Sequence, residues 1–333
     1  MFDLSFIWAG IIAFSVLTYV ILDGFDLGVG ILFPFAAGER EKATMMNSIA
    51  PIWDGNETWL VLGGGGLFAV FPLAYAVIMP ALYMPITLML LALVFRGVAF
   101  EYRWRTERWK PVWDGAFFGG SIVAAFMQGI ALGALVQGIE VADRAYAGGW
   151  WDWLSLFSVL TGLAVVVGYA MLGATWIGMK TEGSLQQNMQ NRAWWLGAAT
   201  LGFIGIVSIL TPLQDAEYFR RWFNLPGSIL SVLMPGAIVV VSWAFFAGLK
   251  ARKDVQPFLA ALGLFALSFM GIGISFYPHI VPPGLTIAEA AAPDESLRFA
   301  LVGTVVLVPI ILAYTAYTYW VFRGKIDPDE GYH

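Results

Sequence analysis

FIWAGIIAFSVLTYVILDGFDLGVGILFPFA, residues 6–36, is apolar over more than the thickness of a bilayer, yet carries two carboxylates, Asp23 and Asp26. A hydrocarbon core of about 30 Å takes about 20 helical residues. Eight further stretches are comparably apolar, at roughly 49–70, 73–95, 114–137, 154–179, 194–213, 227–249, 257–278 and 299–322. None shows the strict alternation of a barrel strand, and each is far too long to be one. The expected fold is therefore all-α: a single polytopic transmembrane domain over residues 1–333, with about nine helices.

Composition says the same. Of 333 residues, 59% are hydrophobic and 12% charged, with a mean hydropathy of +0.75. A soluble domain carries about 25% charged residues, so this surface must largely face lipid. No basic run suits nucleic acid. Cysteine is absent, which excludes disulfides, thiolate metal sites and cysteine nucleophiles. The N-terminus, Met1-Phe2-Asp3, lacks the basic start of a cleaved signal.

Loops near residues 40–42, 96–110, 180–192, 250–253 and 323–325 hold all the Lys and Arg except Arg144, Arg220, Arg221 and Arg298. Cytoplasmic loops collect such residues, so the N-terminus is expected outside and the C-terminus in the cytoplasm, which needs an odd number of spans. Trp150, Trp151 and Trp153 fit an outer aromatic belt, and Trp104, Trp109 and Trp113 an inner one.

Ionisable groups within spans are costly and point to function. Asp23 and Asp26 stand three residues apart, which places them on one helix face. Asp54 and Glu57 repeat that spacing where the second span starts, within Trp53-Asp54-Gly-Asn56-Glu57-Thr-Trp59. Arg96 and Glu101 close the third span. Five acids and an arginine are thus expected at one depth near the cytoplasmic side, either as ion pairs that hold helices together or as carboxyls that relay protons. Asp54, Asp23 and Asp26 are the candidate carriers, Glu57 and Glu101 the candidate entrance, Arg96 a tuning charge, and Trp53, Asn56 and Trp59 structural supports.

Gly63-Gly64-Gly65-Gly66 lacks the Lys-Ser/Thr ending of a phosphate loop and reads as a packing groove. His279 and His333 are the only histidines. The first reads as an interface residue and the second as part of a disordered polar tail.

Several stretches resemble subunit II of the bd-type quinol oxidases, in particular the cyanide-insensitive branch. They are Asp23-Gly-Phe-Asp26-Leu-Gly-Val-Gly, the segment from Asn47 to Leu60, Phe95-Arg96-Gly-Val-Ala-Phe-Glu101-Tyr-Arg103, Gln137-Gly138, Met179-Lys-Thr-Glu-Gly183, Tyr277-Pro278 with Val281-Pro-Pro283, and Ile311-Leu-Ala-Tyr314-Thr with Val321-Phe-Arg323-Gly-Lys. Ala288 departs from the pattern, where relatives often carry an aromatic. The resemblance implies a subunit of a quinol:oxygen oxidoreductase in the bacterial inner membrane. Its partner would be a haem-bearing subunit I holding two b-type haems and one d-type or b-type haem, and the complex would act on quinol and dioxygen. It leaves room for a structural quinone and a small single-span subunit. Haem iron needs His, Met or Cys ligands, and two histidines cannot serve three haems, so this chain is expected to ligate none. A proton- or cation-coupled secondary transporter is the alternative, though it lacks an acidic counterpart in the second half of the chain.

Overall fold

The structure, a computed structural model, describes residues 3–224 and 227–327; His333 lies outside them. The helices are α1 Leu4–Leu32, α2 Glu39–Asn47, α3 Trp53–Val70, α4 Pro72–Ala81, α5 Tyr83–Tyr102, α6 Lys110–Gln137, α7 Leu156–Lys180, α8 Gly183–Leu210, α9 Ala216–Phe223, α10 Gly227–Lys250, α11 Val255–Phe276, α12 Ile287–Ala290 and α13 Asp294–Val321. Two small hairpins join them, β1 Val141–Ala142 with β2 Ala145–Tyr146, and β3 His279–Val281 with β4 Leu285–Thr286.

Among the described residues, eight helices are long and apolar enough to cross a membrane: α1, α5, α6, α7, α8, α10, α11 and α13. The second expected span, 49–70, begins only at Trp53 as α3, whose 18 residues open on Asp54, Asn56 and Glu57. Those polar side chains keep α3 outside the apolar set, so a count of nine depends on α3 alone. The third expected span needs a larger correction. Residues 72–81 form the short helix α4, the chain breaks at Leu82, and the long helix runs from Tyr83 to Tyr102. The apolar run continues across the break, so hydropathy could not locate it. Pro72, Pro80 and Pro85 are its local cause, because each lacks the N–H that a continuous helix needs. Arg96 consequently lies well inside its helix rather than beyond its end.

α1 is the central element, packed against α3, α6 and α7. Its contact with α7 is backbone to backbone, since a Cβ on Gly28 would overlap the Tyr169 carbonyl and one on Gly173 would overlap Gly28. Such an approach is open only to glycine. Asp3 caps α1 by accepting from the Ser5 N–H at 3.0 Å. Ser155 and Ser158 form a capping box on α7.

Two apolar cores result. One gathers Phe25, Met45, Trp176 and Phe258, with Phe25 stacked on Trp176 at 4.3 Å. The other, toward the opposite end of α1, gathers Trp8, Phe71, Val281 and Leu297, with the Trp8 indole donating to the Leu297 carbonyl at 3.1 Å. Residues 322–326 fold back on the turn between α7 and α8. Lys180 Nζ donates to the carbonyls of Phe322 and Gly324, and Ile326 N–H donates to Lys180 O at 2.8 Å. Two sequence motifs far apart in the chain, Met179–Gly183 and Arg323–Lys325, thereby meet.

Candidate functional site

α1, α3 and α5 bring their polar residues together near one end of the bundle. Asp26 is six residues from the end of α1, about 9 Å along the axis. Asp23, Asp26 and Arg96 are fully buried. Arg96 Nη1 lies 2.8 Å from Glu57 Oε1 and 3.6 Å from Asp23 Oδ1. The Glu57 side chain is 24% exposed, so it is the group of this set that reaches the surface. Asn56 donates from Nδ2 to Asp26 Oδ2 at 2.7 Å and accepts from the Tyr319 hydroxyl at 3.0 Å.

The guanidinium is boxed by rings. Trp53 and Phe100 stack on each other at 4.8 Å, and both lie under Arg96, at 5.8 and 5.6 Å. Cation–π contact of this kind steadies a buried charge. Trp59 is buried edge-on to Phe14 at 5.9 Å. These contacts place Trp53 and Asn56 in the network, whereas Trp59 packs one turn further along α3 against Phe14.

Two of the five expected acids stay out. Asp54 is exposed on α3, one turn before Glu57. Glu101 is 67% exposed and pairs with Arg105 at 3.4 Å. Glu101 follows from helix geometry: five residues beyond Arg96 on the same helix, it points to a different side once Arg96 turns inward. The expected convergence of five acids is therefore a set of three, the buried Asp23 and Asp26 and the partly exposed Glu57, around one arginine. Among the described residues, Asp26 Oδ1 and Arg96 Nε and Nη2 find no hydrogen-bond partner, while the Tyr19 hydroxyl lies within hydrogen-bonding reach of the Asp23 carboxyl.

Several contributors had not been anticipated. Tyr319 comes from the last helix, far along the chain from Asn56, and no local signal marks it. Above the acids, Tyr169 donates to Gln128 Oε1 and Gln128 Nε2 donates to the Tyr19 hydroxyl, both at 2.7 Å. A second charged network lies beyond the first. The buried Arg103 donates from Nε to Asp114 Oδ1 at 2.6 Å and from Nη2 to Glu39 Oε2 at 2.8 Å, and Lys42 pairs with Asp114 at 2.8 Å. Arg103 stood in a quoted motif, but its partners lie on α2 and α6. Only the fold joins them.

His279 is the one histidine among the described residues and sits on the β3 hairpin, and no group of three or more His, Asp or Glu there is arranged to hold a metal ion. Of the Gly63–Gly66 groove, Gly63 and Gly66 receive Val16 and Ile12 of α1, while Gly64 and Gly65 face open space.

Fold and site together define a helical membrane protein that buries a charged cluster. The model of the cytochrome bd terminal oxidase subunit II family matches residues 4–322, and the chain belongs to that family. It is thus a membrane subunit of a terminal oxidase complex. It is 31% identical to cytochrome bd ubiquinol oxidase subunit 2 of Bacillus subtilis, covering 99% of both chains. It is 32% identical to cytochrome bd-I ubiquinol oxidase subunit 2 of Escherichia coli, covering 98% of this chain and 96% of that one. The bd oxidase structure from Geobacillus thermodenitrificans shares the fold, with a TM-score of 0.78, 16% identity, and coverage of 96% of this chain and 98% of that one. The transporter alternative finds no support in these matches.

Proposed function

We propose that this subunit supplies protons to a quinol:oxygen oxidoreductase whose haems lie in subunit I. Each electron passed to dioxygen is matched by a proton taken up, so a site within the membrane needs a polar route from one face. The observation that carries the reading is the charge balance of the cluster. One guanidinium faces three carboxyls, and a neutral cluster therefore contains protonated acid, which is the form that can pass a proton on.

The route begins at the exposed Asp54, continues through the half-buried Glu57, and reaches Asp23 beside Arg96 and Asp26 beside Asn56. Asp26 Oδ1, which has no donor among the described residues, supports this, because a proton carrier needs acceptor capacity that no fixed donor fills. Glu101 serves no step, since it turns away and pairs with Arg105. Subunit I docks along α3 and α13, a placement supported by the bare Gly64 and Gly65 and by the exposed apolar faces of α13. The entrance faces the cytoplasm in this reading, as the Lys and Arg bias suggests.

The test is proton uptake and membrane potential in vesicles carrying the assembled, fully haem-loaded oxidase, for Asp26→Asn, Glu57→Gln and Asp54→Asn. Slowed uptake with haem content intact is the expected result. Unaltered uptake in all three sinks the relay. Loss of haem together with unimpaired uptake per remaining haem leaves the cluster a purely structural ion network, a second reading favoured by the double engagement of Arg96.

A further inference from the structure

α8 and α10 meet where Gly197 lets the Phe245 ring lie against its backbone. Toward the cation-rich end they part, and a cavity of about 450 Å³ opens between Gln190, Asn191, Trp194 and Trp195 of α8 and Lys250 and Arg252 at the end of α10. It holds two cations and no carboxylate. Neither Lys250 nor Arg252 forms an ion pair among the described residues, and the neighbouring Asp254 is already engaged by Lys325 at 2.9 Å.

Arg252 is placed with some backbone strain. Its φ is 52°, in the left-handed region where a helix normally ends on glycine. The N–H groups of Arg252 and Lys253 donate to Leu249 and Gly248 at 3.1 and 3.0 Å, closing α10. Backbone geometry alone would favour glycine here, so the side chain needs its own reason. The guanidinium donates to Gln190 Oε1 at 3.2 Å and to Asn191 Oδ1 at 3.0 Å. Gln190 is itself buried. Two neutral amides thus aim the charge without neutralising it.

Farther along both helices, away from the cavity, the exposed surface is apolar. On α8, Gly202 and Gly205 face open space; on α10, Trp243, Val240 and Val239 are exposed. A pair of oriented cations at the interface, flanked by indoles and followed by apolar surface, matches a phosphate with acyl chains attached rather than a free anion. We propose that this cavity binds the phosphate of an anionic membrane phospholipid, whose chains lie along α8 and α10.

The test titrates the purified oxidase complex with labelled phosphatidylglycerol and phosphatidylcholine and measures the binding of each. Arg252→Gly removes the charge at a position that suits glycine, so it preserves the fold. It should weaken phosphatidylglycerol about fivefold, and adding Lys250→Gln about thirtyfold, since a basic residue near the surface is worth about 1 kcal/mol to an anionic lipid. Arg252→Lys should restore most of the loss, and phosphatidylcholine should be unaffected throughout. Unchanged phosphatidylglycerol binding in both Arg252→Gly and the double variant overturns the proposal. So does an equal loss for phosphatidylcholine, or displacement of the lipid by inorganic phosphate at comparable concentration.

Discussion

Replacing Arg96 with Gln removes the cation that faces the buried Asp23 and Asp26 and the half-buried Glu57. Its Nη1 sits 2.8 Å from Glu57 and 3.6 Å from Asp23. At an effective dielectric constant of about 20, those separations correspond to about 6 and about 5 kcal/mol of attraction before desolvation is charged against them. Desolvation cancels much of this in the intact network, but removal of one partner leaves the other charges buried and uncompensated, which costs about 3–5 kcal/mol. At about 2–4 °C per kcal/mol, thermal inactivation of the assembled complex should shift down by roughly 10 °C. Combining Arg96→Gln with Glu57→Gln removes one charge of each sign and should recover a substantial part of that shift. Thermal inactivation midpoints of the wild type, both single variants and the double variant form the cycle that isolates the coupling. If Arg96→Gln melts with the wild type, or if Glu57→Gln adds to the damage instead of relieving it, the charge-balance reasoning is wrong.

Gly28→Ala should prevent close docking of α1 on α7, because its Cβ would meet the fixed Tyr169 carbonyl rather than a movable side chain. A penalty at or above the usual 1–3 kcal/mol of overpacking predicts little assembled complex, measured by haem-bearing complex recovered from membranes. Ser155→Ala removes the hydroxyl that caps α7 through the Ser158 N–H at 2.9 Å and that bonds Gln137. A loss of about 1 kcal/mol should appear as faster hydrogen exchange in the first turn of α7, with later turns unaltered. The Tyr146 phenol, partly desolvated and donating toward Asp152, is pushed up from 10.0 to about 12. A neutral form favoured by the fold stabilises below the unfolded value and is lost as pH rises toward 12. The 141–153 loop should therefore hold through pH 10 and loosen above it, and the phenolate absorbance difference between wild type and Tyr146→Phe should appear only near pH 12.

The sequence by itself determined the solvent and the kind of architecture, because a chain this poor in charge cannot be covered by water. It also marked Asp23, Asp26, Glu57 and Arg96, since ionisable residues inside apolar runs stand out without any fold. What it could not give was facing. Asp54 and Glu101 have the same composition-level signal as Glu57, yet one lies on an exposed flank and the other bonds Arg105, because which side of a helix is buried is set by how it docks on its neighbours. The start of α5 was hidden inside an apolar run that Leu82 breaks without any change in hydropathy. Tyr319 and Asp114 reached their networks only through packing of helices remote in the chain. Apolar burial is additive along a sequence and is legible there; hydrogen bonds and ion pairs depend on distance and angle between separate helices, and those are set only when the helices have docked.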